Sequence, residues 1–400
     1  MGFLDGDGCS RTSIAGRARM GRSRLDLRRS TATMTHARTI RLGGAFVATE
    51  THTKRLSVIV PCYKTERFLP SCLDSLLSQD FDGLEIIGVN DGSPDGCLDI
   101  LRDYERRHPD IVRVVDKENE GTWKARWAGV RAARGEYVGF IDSDDTACPD
   151  YMQSLCSAAD ESSAAVTVCG YRRVDLASGK TISRELTQRR EPFRVKDDPG
   201  MIVGINTAVW NKLYRKDLLD SIEVIRDSPK ALEDVVFCML VYLAVFQTGS
   251  TVSFIPDCLV NYTVRDNSTI TSVRGDTLEE DRRSLVEART AFVDGGASSD
   301  LLAAQDAMVF LHLGISMSFR QSYDKDVDLK AVIMDTTSFL DDHFPTWSDS
   351  PYITGAYAKT HGSAFKKLLL ASRAWKAHAM PAFLSVYKFM IGTLGIDIKW

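Results

Sequence analysis

The chain has 400 residues, 44% of them hydrophobic, and a formal net charge of −4 at pH 7. That length points to two domains or to one large α/β domain with additions. The slight acidity excludes a chain built as a whole for nucleic acid.

Residues 1–54 are rich in Arg, Ser, Thr and Gly, and Arg11, Arg17, Arg19, Arg22, Arg24, Arg28 and Arg29 dominate their charge. With no sustained apolar period and no signal-peptide core, they read as a disordered basic tail. Contact with nucleic acid or an anionic membrane is the functional alternative for that tail.

From Leu56 the pattern changes. Leu56-Ser57-Val58-Ile59-Val60, apolar, β-branched and stopped by Pro61, reads as a buried strand. Phe68, Leu69, Cys72, Leu73, Leu76 and Leu77 recur at helical spacing, with Thr65 as the expected cap. A second strand over 84–89 ends at Asn90-Asp91-Gly92-Ser93, and Ser93 is expected to cap a helix closed by His108-Pro109. A third strand over 111–115, a helix over 122–133 and a fourth strand over 137–141 follow. The last delivers the backbone to Asp142-Ser143-Asp144-Asp145, three carboxylates within four positions. Such a cluster is either a solvated, helix-capping turn or a cation site.

Strands alternating with helices predict βαβ units and a mostly parallel sheet flanked by helices. Right-handed crossovers then place the strand C-termini along one edge. That edge collects Pro61-Cys62-Tyr63, Asn90-Asp91-Gly92-Ser93 and Asp142-Ser143-Asp144-Asp145 in one crevice, which favours a ligand site over a wet turn.

Beyond it come a helix over 151–159, a strand over 165–169 and a polar, irregular stretch over 175–200. Trp210-Asn211-Lys212-Leu213-Tyr214-Arg215 follows, then a helix over 233–245 and strands over 251–255 and 258–264. From 277 onward only helical patterns recur, over 278–292, 301–319, 329–344 and 364–375. The expected organisation is a tail over 1–54, an α/β domain over 55–275 and a helical extension over 276–400. No stretch reaches the length of a membrane span. The apolar segment 381–391, preceded by Lys366, Lys367, Arg373 and Lys376, reads as a helix packed on the main domain or as an interfacial membrane helix. Nine scattered cysteines without a CxxC pair read as reduced thiols of a cytoplasmic protein, peripheral at the inner face of the cell membrane if that helix binds lipid. Seven histidines form no zinc-binding array.

In this order the pieces resemble the family 2 glycosyltransferases over roughly residues 55–275. The matching text is Ser57-Val58-Ile59-Val60-Pro61-Cys62-Tyr63, Asn90-Asp91-Gly92-Ser93, Asn119-Glu120-Gly121, Ala125-Arg126, and Gly135-Glu136-Tyr137 running into Phe140-Ile141-Asp142-Ser143-Asp144-Asp145. Downstream stand Trp210-Asn211-Lys212-Leu213-Tyr214, Glu233-Asp234-Val235 and Tyr262-Thr263-Val264-Arg265. Each motif alone is weak; their shared order is not.

The resemblance implies a GT-A (Rossmann-like) fold and an inverting transferase taking a sugar from a nucleotide-diphosphate donor, a UDP-sugar by preference. The acceptor would be a hydroxyl of a saccharide, polymer or lipid-linked molecule in cell-surface polysaccharide synthesis. It implies Asp144, with Asp142, as ligands of Mg²⁺ or Mn²⁺, and leaves Asp145 either orienting Asp144 or capping the next helix. Donor contacts would come from Pro61 and Tyr63 on the base, Asp91 on its N–H edge, Asn119, Arg126, Asp142 and Arg265. Asp234, supported by Glu233, would be the general base, although the two can be exchanged and an acidic pair also suits a helix N-terminus. Trp210, Asn211 and Lys212 are wall or acceptor contact.

Trp123, Lys124 and Trp127 depart from the small residues usual near Arg126 and put the donor contacts there in question. Two other readings stand beside this one. A sugar nucleotidyltransferase needs a Gly-rich loop where Pro61-Cys62-Tyr63-Lys64-Thr65-Glu66 stands. A catalytically inactive module of the same fold, serving as a binding scaffold, is the other.

Overall fold

The computed structural model describes residues 54–264 and 275–394. Arg265 and the expected tail, apart from Lys54, lie outside the described residues.

Strand β1 (Lys54–Cys62) pairs in parallel with β2 (Leu84–Asp91) and β4 (Gly135–Phe140), and β2 pairs in parallel with β3 (Val112–Lys117). Side chains alternate across this block with period two. Leu56, Val58 and Val60 pack in one apolar layer with residues of α1 (Leu69–Leu77), α2 (Cys97–Arg107) and α4 (Tyr151–Ser162). Ile59, Ile87 and Val89 face the other layer, with α3 (Thr122–Ala132) and α6 (Glu233–Thr248). The sheet continues through β9 (Lys212–Arg215), antiparallel to both β4 and β6 (Val166–Asp175), after which comes short α5 (Lys216–Asp220). β10 (Thr251–Val264) runs parallel to β6 and pairs with β5 (Thr146–Ala147). The order is β3-β2-β1-β4-β9-β6-β10-β5, a mixed sheet with the expected parallel block at one end.

Four local expectations are corrected. Thr65 does not cap α1, which starts after Phe68 without a side-chain cap; its hydroxyl instead bonds that of Ser143 at 2.9 Å. Ser93 does not cap α2, whose N-cap is Gly96; its hydroxyl donates to Asp95 at 2.6 Å. The stretch 175–200 is not irregular throughout, because β7 (Thr181–Glu185) pairs with β6 and β8 (Phe193–Arg194) with β10. Residues 251–264 form one strand, not two. Its register shifts beside Pro256, where the missing N–H interrupts the ladder.

The helical region comprises α7 (Gly275–Asp294), then α8 (Ser299–Val309) continuing through a π-helical segment (Phe310–Ser316) into α9 (Met317–Gln321). α10 (Leu329–His343), α11 (Gly355–His361), α12 (Ser363–Lys376) and α13 (Met380–Leu394) follow. Every residue of α6 from Val235 to Val245 is buried, and the apolar layer around it contains both sheet and C-terminal helix residues. Contrary to the sequence reading, the continuous helix Ser299–Gln321 is long and apolar enough to cross a bilayer. Of its apolar window, however, 83% is buried inside the protein, so it serves as a core helix.

Candidate active site

The parallel strands end at a crevice, and Asp142 sits there just past β4. Its Oδ1 accepts from Arg126 Nη2 at 3.1 Å, and its side chain keeps 27% exposure. Asp144 is half-buried beside it. Asp145 is buried, and its Oδ1 accepts the Thr263 N–H at 2.7 Å, tying the motif to β10. It does not cap α4, whose N-cap is Asp150. Ser143 joins the motif to the β1–α1 loop through Thr65.

Asp91, at the end of β2, is buried with its carboxylate engaged by the loop entering α3. Oδ1 accepts from Lys117 Nζ at 2.7 Å and Glu120 N–H at 3.1 Å, and Oδ2 from Gly121 N–H at 2.8 Å. Gly92 is required here: its φ is +60°, and a Cβ would lie 2.5 Å from the Asn119 nitrogen. Asn119 is thus drawn against the Asp91 turn with its side chain exposed. Pro61 is half-buried at the end of β1, and Tyr63 keeps 43% exposure with Lys64 Nζ 5.0 Å from its ring centroid. An accessible ring beside a cation suits stacking on a nucleobase.

Arg126 joins the two acidic motifs. Only 3% exposed, its guanidinium donates to Asp142 through Nη2 and to Asp234 through Nη1. Asp234 and Glu233 form the first turn of α6. Burial raises the pKa of both carboxyls. For Glu233 the Asp234 charge adds to the rise and Arg126 opposes it; for Asp234 the Arg126 cation opposes it and Asp142 adds. Asp234 nevertheless keeps 30% side-chain exposure, so the pair sits in a protein-dense crevice open on one side.

Trp123 and Trp127 do not line a donor pocket. Both are 2% exposed and pack on Phe237 of α6, at centroid distances of 6.5 and 5.2 Å. Phe140 of β4 and Tyr214 of β9 contact the same ring at 5.4 and 5.7 Å. One aromatic cluster therefore sets the strand that leads to Asp142, the helix carrying Arg126 and the helix carrying Asp234 in mutual register. Asn211 and Lys212 are fully buried. Lys212 Nζ donates to the carbonyls of Asn206 at 2.8 Å and Ala208 at 2.5 Å, which makes it a clamp within the wall. Trp210 stacks on Tyr262 at 5.3 Å.

Sequence reasoning missed the support from the helical region. The buried Asp281 carboxylate of α7 accepts N–H bonds from Lys230 at 2.7 Å, Ala231 at 3.1 Å and Leu232 at 3.2 Å, immediately before the acidic pair. Glu287, two turns further on, accepts from the backbone of Arg226 and Asp227 at 2.8 and 2.9 Å. Within Glu279-Glu280-Asp281-Arg282-Arg283 nothing separates Asp281 from a solvated charge run. Arg320 of α9 makes no ion pair among the described residues. Burial lowers its pKa, while the charges of Glu233, Tyr262 and Asp281 oppose that shift.

Among the described residues no group of three His, Cys, Asp or Glu side chains stands ready to hold a metal ion. Asp142 and Asp144 offer the hard oxygens that a divalent cation takes, but among the described residues they are too few for a protein-only cage.

Comparison with known proteins agrees with this architecture. The family model for glycosyl transferase family 2 matches residues 57–222. EpsH of Bacillus subtilis (strain 168), provisionally named a glycosyltransferase, is 30% identical over 66% of this chain and 77% of its own. A poly(ribitol-phosphate) beta-glucosyltransferase of Bacillus spizizenii is 28% identical over 47% of this chain and 30% of its own. S. aureus TarS 1–349, solved also in complex with UDP-GlcNAc, superposes with a TM-score of 0.59, 20% identity and coverage of 86% and 93% of the two chains. The chain belongs to glycosyltransferase family 2, and its fold is of the GT-A type.

Proposed function

We propose that this chain transfers a sugar, with inversion, from a UDP-sugar to a hydroxyl of a saccharide, polymer or lipid-linked acceptor during cell-surface polysaccharide assembly. The observation that carries this reading is the Arg126 bridge, which holds the strand-end Asp142 and the helix-start Asp234 on opposite sides of one buried guanidinium. Donor-side and acceptor-side carboxylates are thereby set at a fixed separation, as a single in-line displacement needs. The relatives that act on a ribitol-phosphate polymer, or were crystallised with UDP-GlcNAc, support a UDP-hexose or UDP-N-acetylhexosamine donor and a polymeric acceptor.

Tyr63 and Pro61 take the base, while Asp91 shapes the Lys117–Gly121 loop against it. Asp234 accepts the acceptor hydroxyl's proton, because its bond to Arg126 favours the ionised form and leaves the carboxylate oriented. Glu233, which makes no ion pair among the described residues and is raised by burial, stays protonated longer and supports it. Mg²⁺ or Mn²⁺ held by Asp144 and Asp142 with the donor's diphosphate would supply Lewis-acid stabilisation of the leaving group.

A donor panel with Mg²⁺ or Mn²⁺, read as nucleotide release, tests the reading. Asp144→Ala should lose metal-dependent donor binding; Asp234→Asn should bind donor and fail to transfer. Equal loss of binding in both variants overturns these roles, and no turnover of any common UDP- or GDP-sugar overturns the enzyme.

A further inference from the structure

Between Asp349 and Asp397 the chain has no acidic residue, yet it carries Lys359, Lys366, Lys367, Arg373, Lys376 and Lys388, with His361 and His378. In a chain of net charge −4 such a one-signed stretch marks a separate electrostatic surface. Lys359, Lys366 and Arg373 are exposed and make no ion pair among the described residues.

The same segment carries three of the nine large exposed apolar side chains of the described residues: Leu370, Val386 and Phe389, at 57%, 59% and 60% exposure. Their spacing is helical. Lys366, Leu370 and Arg373 follow the outer stripe of α12, and Ala382, Val386 and Phe389 that of α13, whereas Leu384 and Tyr387 point into the core. An apolar stripe next to unpaired cations is the pattern of a helix lying in a bilayer interface. A second copy of the chain is a poor occupant, because it would set this cationic surface against itself.

We propose that α12 and α13 form a docking surface for an anionic lipid bilayer, with Val386 and Phe389 entering the headgroup–acyl boundary and Lys366 and Arg373 meeting the lipid charge. The surface is tied to the segment between β8 and β9. Phe365 of α12 lies against Gly204, and Tyr357 and His361 of α11 bond Asp198 at 2.8 and 3.0 Å. Docking would therefore fix the orientation of the whole enzyme and not of a tethered tail.

The test is vesicle flotation of the full chain with phosphatidylcholine alone and with about one third phosphatidylglycerol, at about 0.1 M and 0.5 M salt. Wild type should float with the anionic vesicles only, and high salt should release it. Val386→Ser/Phe389→Ser and Lys366→Glu/Arg373→Glu should each weaken flotation by about tenfold or more. Thermal unfolding and vesicle-free nucleotide release should stay unchanged, since all four side chains are exposed. Undiminished flotation of both variants assigns lipid binding elsewhere, for instance to the Arg-rich N-terminus, and overturns the proposal. So does wild type failing to float with anionic vesicles, or concentration-dependent self-association that the Ser variant abolishes without any lipid binding.

Discussion

The Arg126 guanidinium donates to the Asp234 carboxylate across 108 positions of sequence, inside a crevice that leaves Arg126 3% exposed. With Asp142 on its other side, this cation pairs with two of the carboxylates that the fold concentrates there. Removing it leaves them facing one another, with Glu233, in a protein-dense space. Arg126→Ala should therefore cost about 3 kcal/mol of stability or more, measured by urea denaturation at pH 7. Arg126→Lys keeps the charge and loses the planar fork, so it should recover most of the stability and little of the transfer rate.

Both carboxyls at the start of α6 have pKa values above their ordinary values of 4.5 and 3.8. A raised carboxyl favours the protonated folded state, so its stabilising share is present below the ordinary pKa and is lost as pH rises through the folded value. Glu233→Gln should accordingly lose less melting temperature than wild type on going from acid to alkaline pH. The transfer rate should rise with pH as Asp234 ionises. A pH–rate profile of single-turnover transfer whose acidic limb is unchanged in Asp234→Asn would falsify the base assignment.

Asp281 accepts three N–H bonds at the entry to α6 without touching the crevice's carboxylates. Asp281→Ala strands those donors in a buried place and should destabilise the fold by roughly 2–3 kcal/mol. As a positioning effect it should lower kcat for transfer more than it weakens donor binding. Isothermal titration with donor beside steady-state kinetics separates the two, and equal losses would make the role purely structural.

Phe237 is the ring on which Trp123, Trp127, Phe140 and Tyr214 converge. Phe237→Ala should cost about 3–5 kcal/mol through the cavity it leaves. Because the cluster sets α6 against α3, loss of transfer should exceed what the unfolded fraction explains; Phe237→Leu, closer in volume, should restore both.

Asp91→Asn replaces a carboxylate that holds Lys117 and two N–H groups. Lys117, half-buried, then keeps only Glu120 as a charged partner among the described residues, and stability should fall by about 1–3 kcal/mol. Donor affinity should fall with it, because the loop carrying Asn119 is no longer pinned. Donor titration of Asp91→Asn at a temperature where the variant remains folded checks this.

Much of the architecture was legible in the chain itself. Strand and helix periods are local properties, so the parallel block and the meeting of Pro61, Asp91 and Asp142 at one edge followed from patterns a few residues long. Capping was misread at Thr65 and Ser93 because a hydroxyl near a helix start has several acceptors within reach. Ser143 and Asp95 won in these two cases.

What sequence alone determined, then, was the succession of elements and the residue types that reach the crevice. The tertiary structure decided what those residues do there. Arg126 became a bridge, Asp91 a loop anchor, the two Trp a core, and Asp281 the holder of the acidic pair. Each of those roles depends on burial and on a partner tens to more than a hundred positions away. Charge–charge and packing energies act through space, and no spacing along the chain records them.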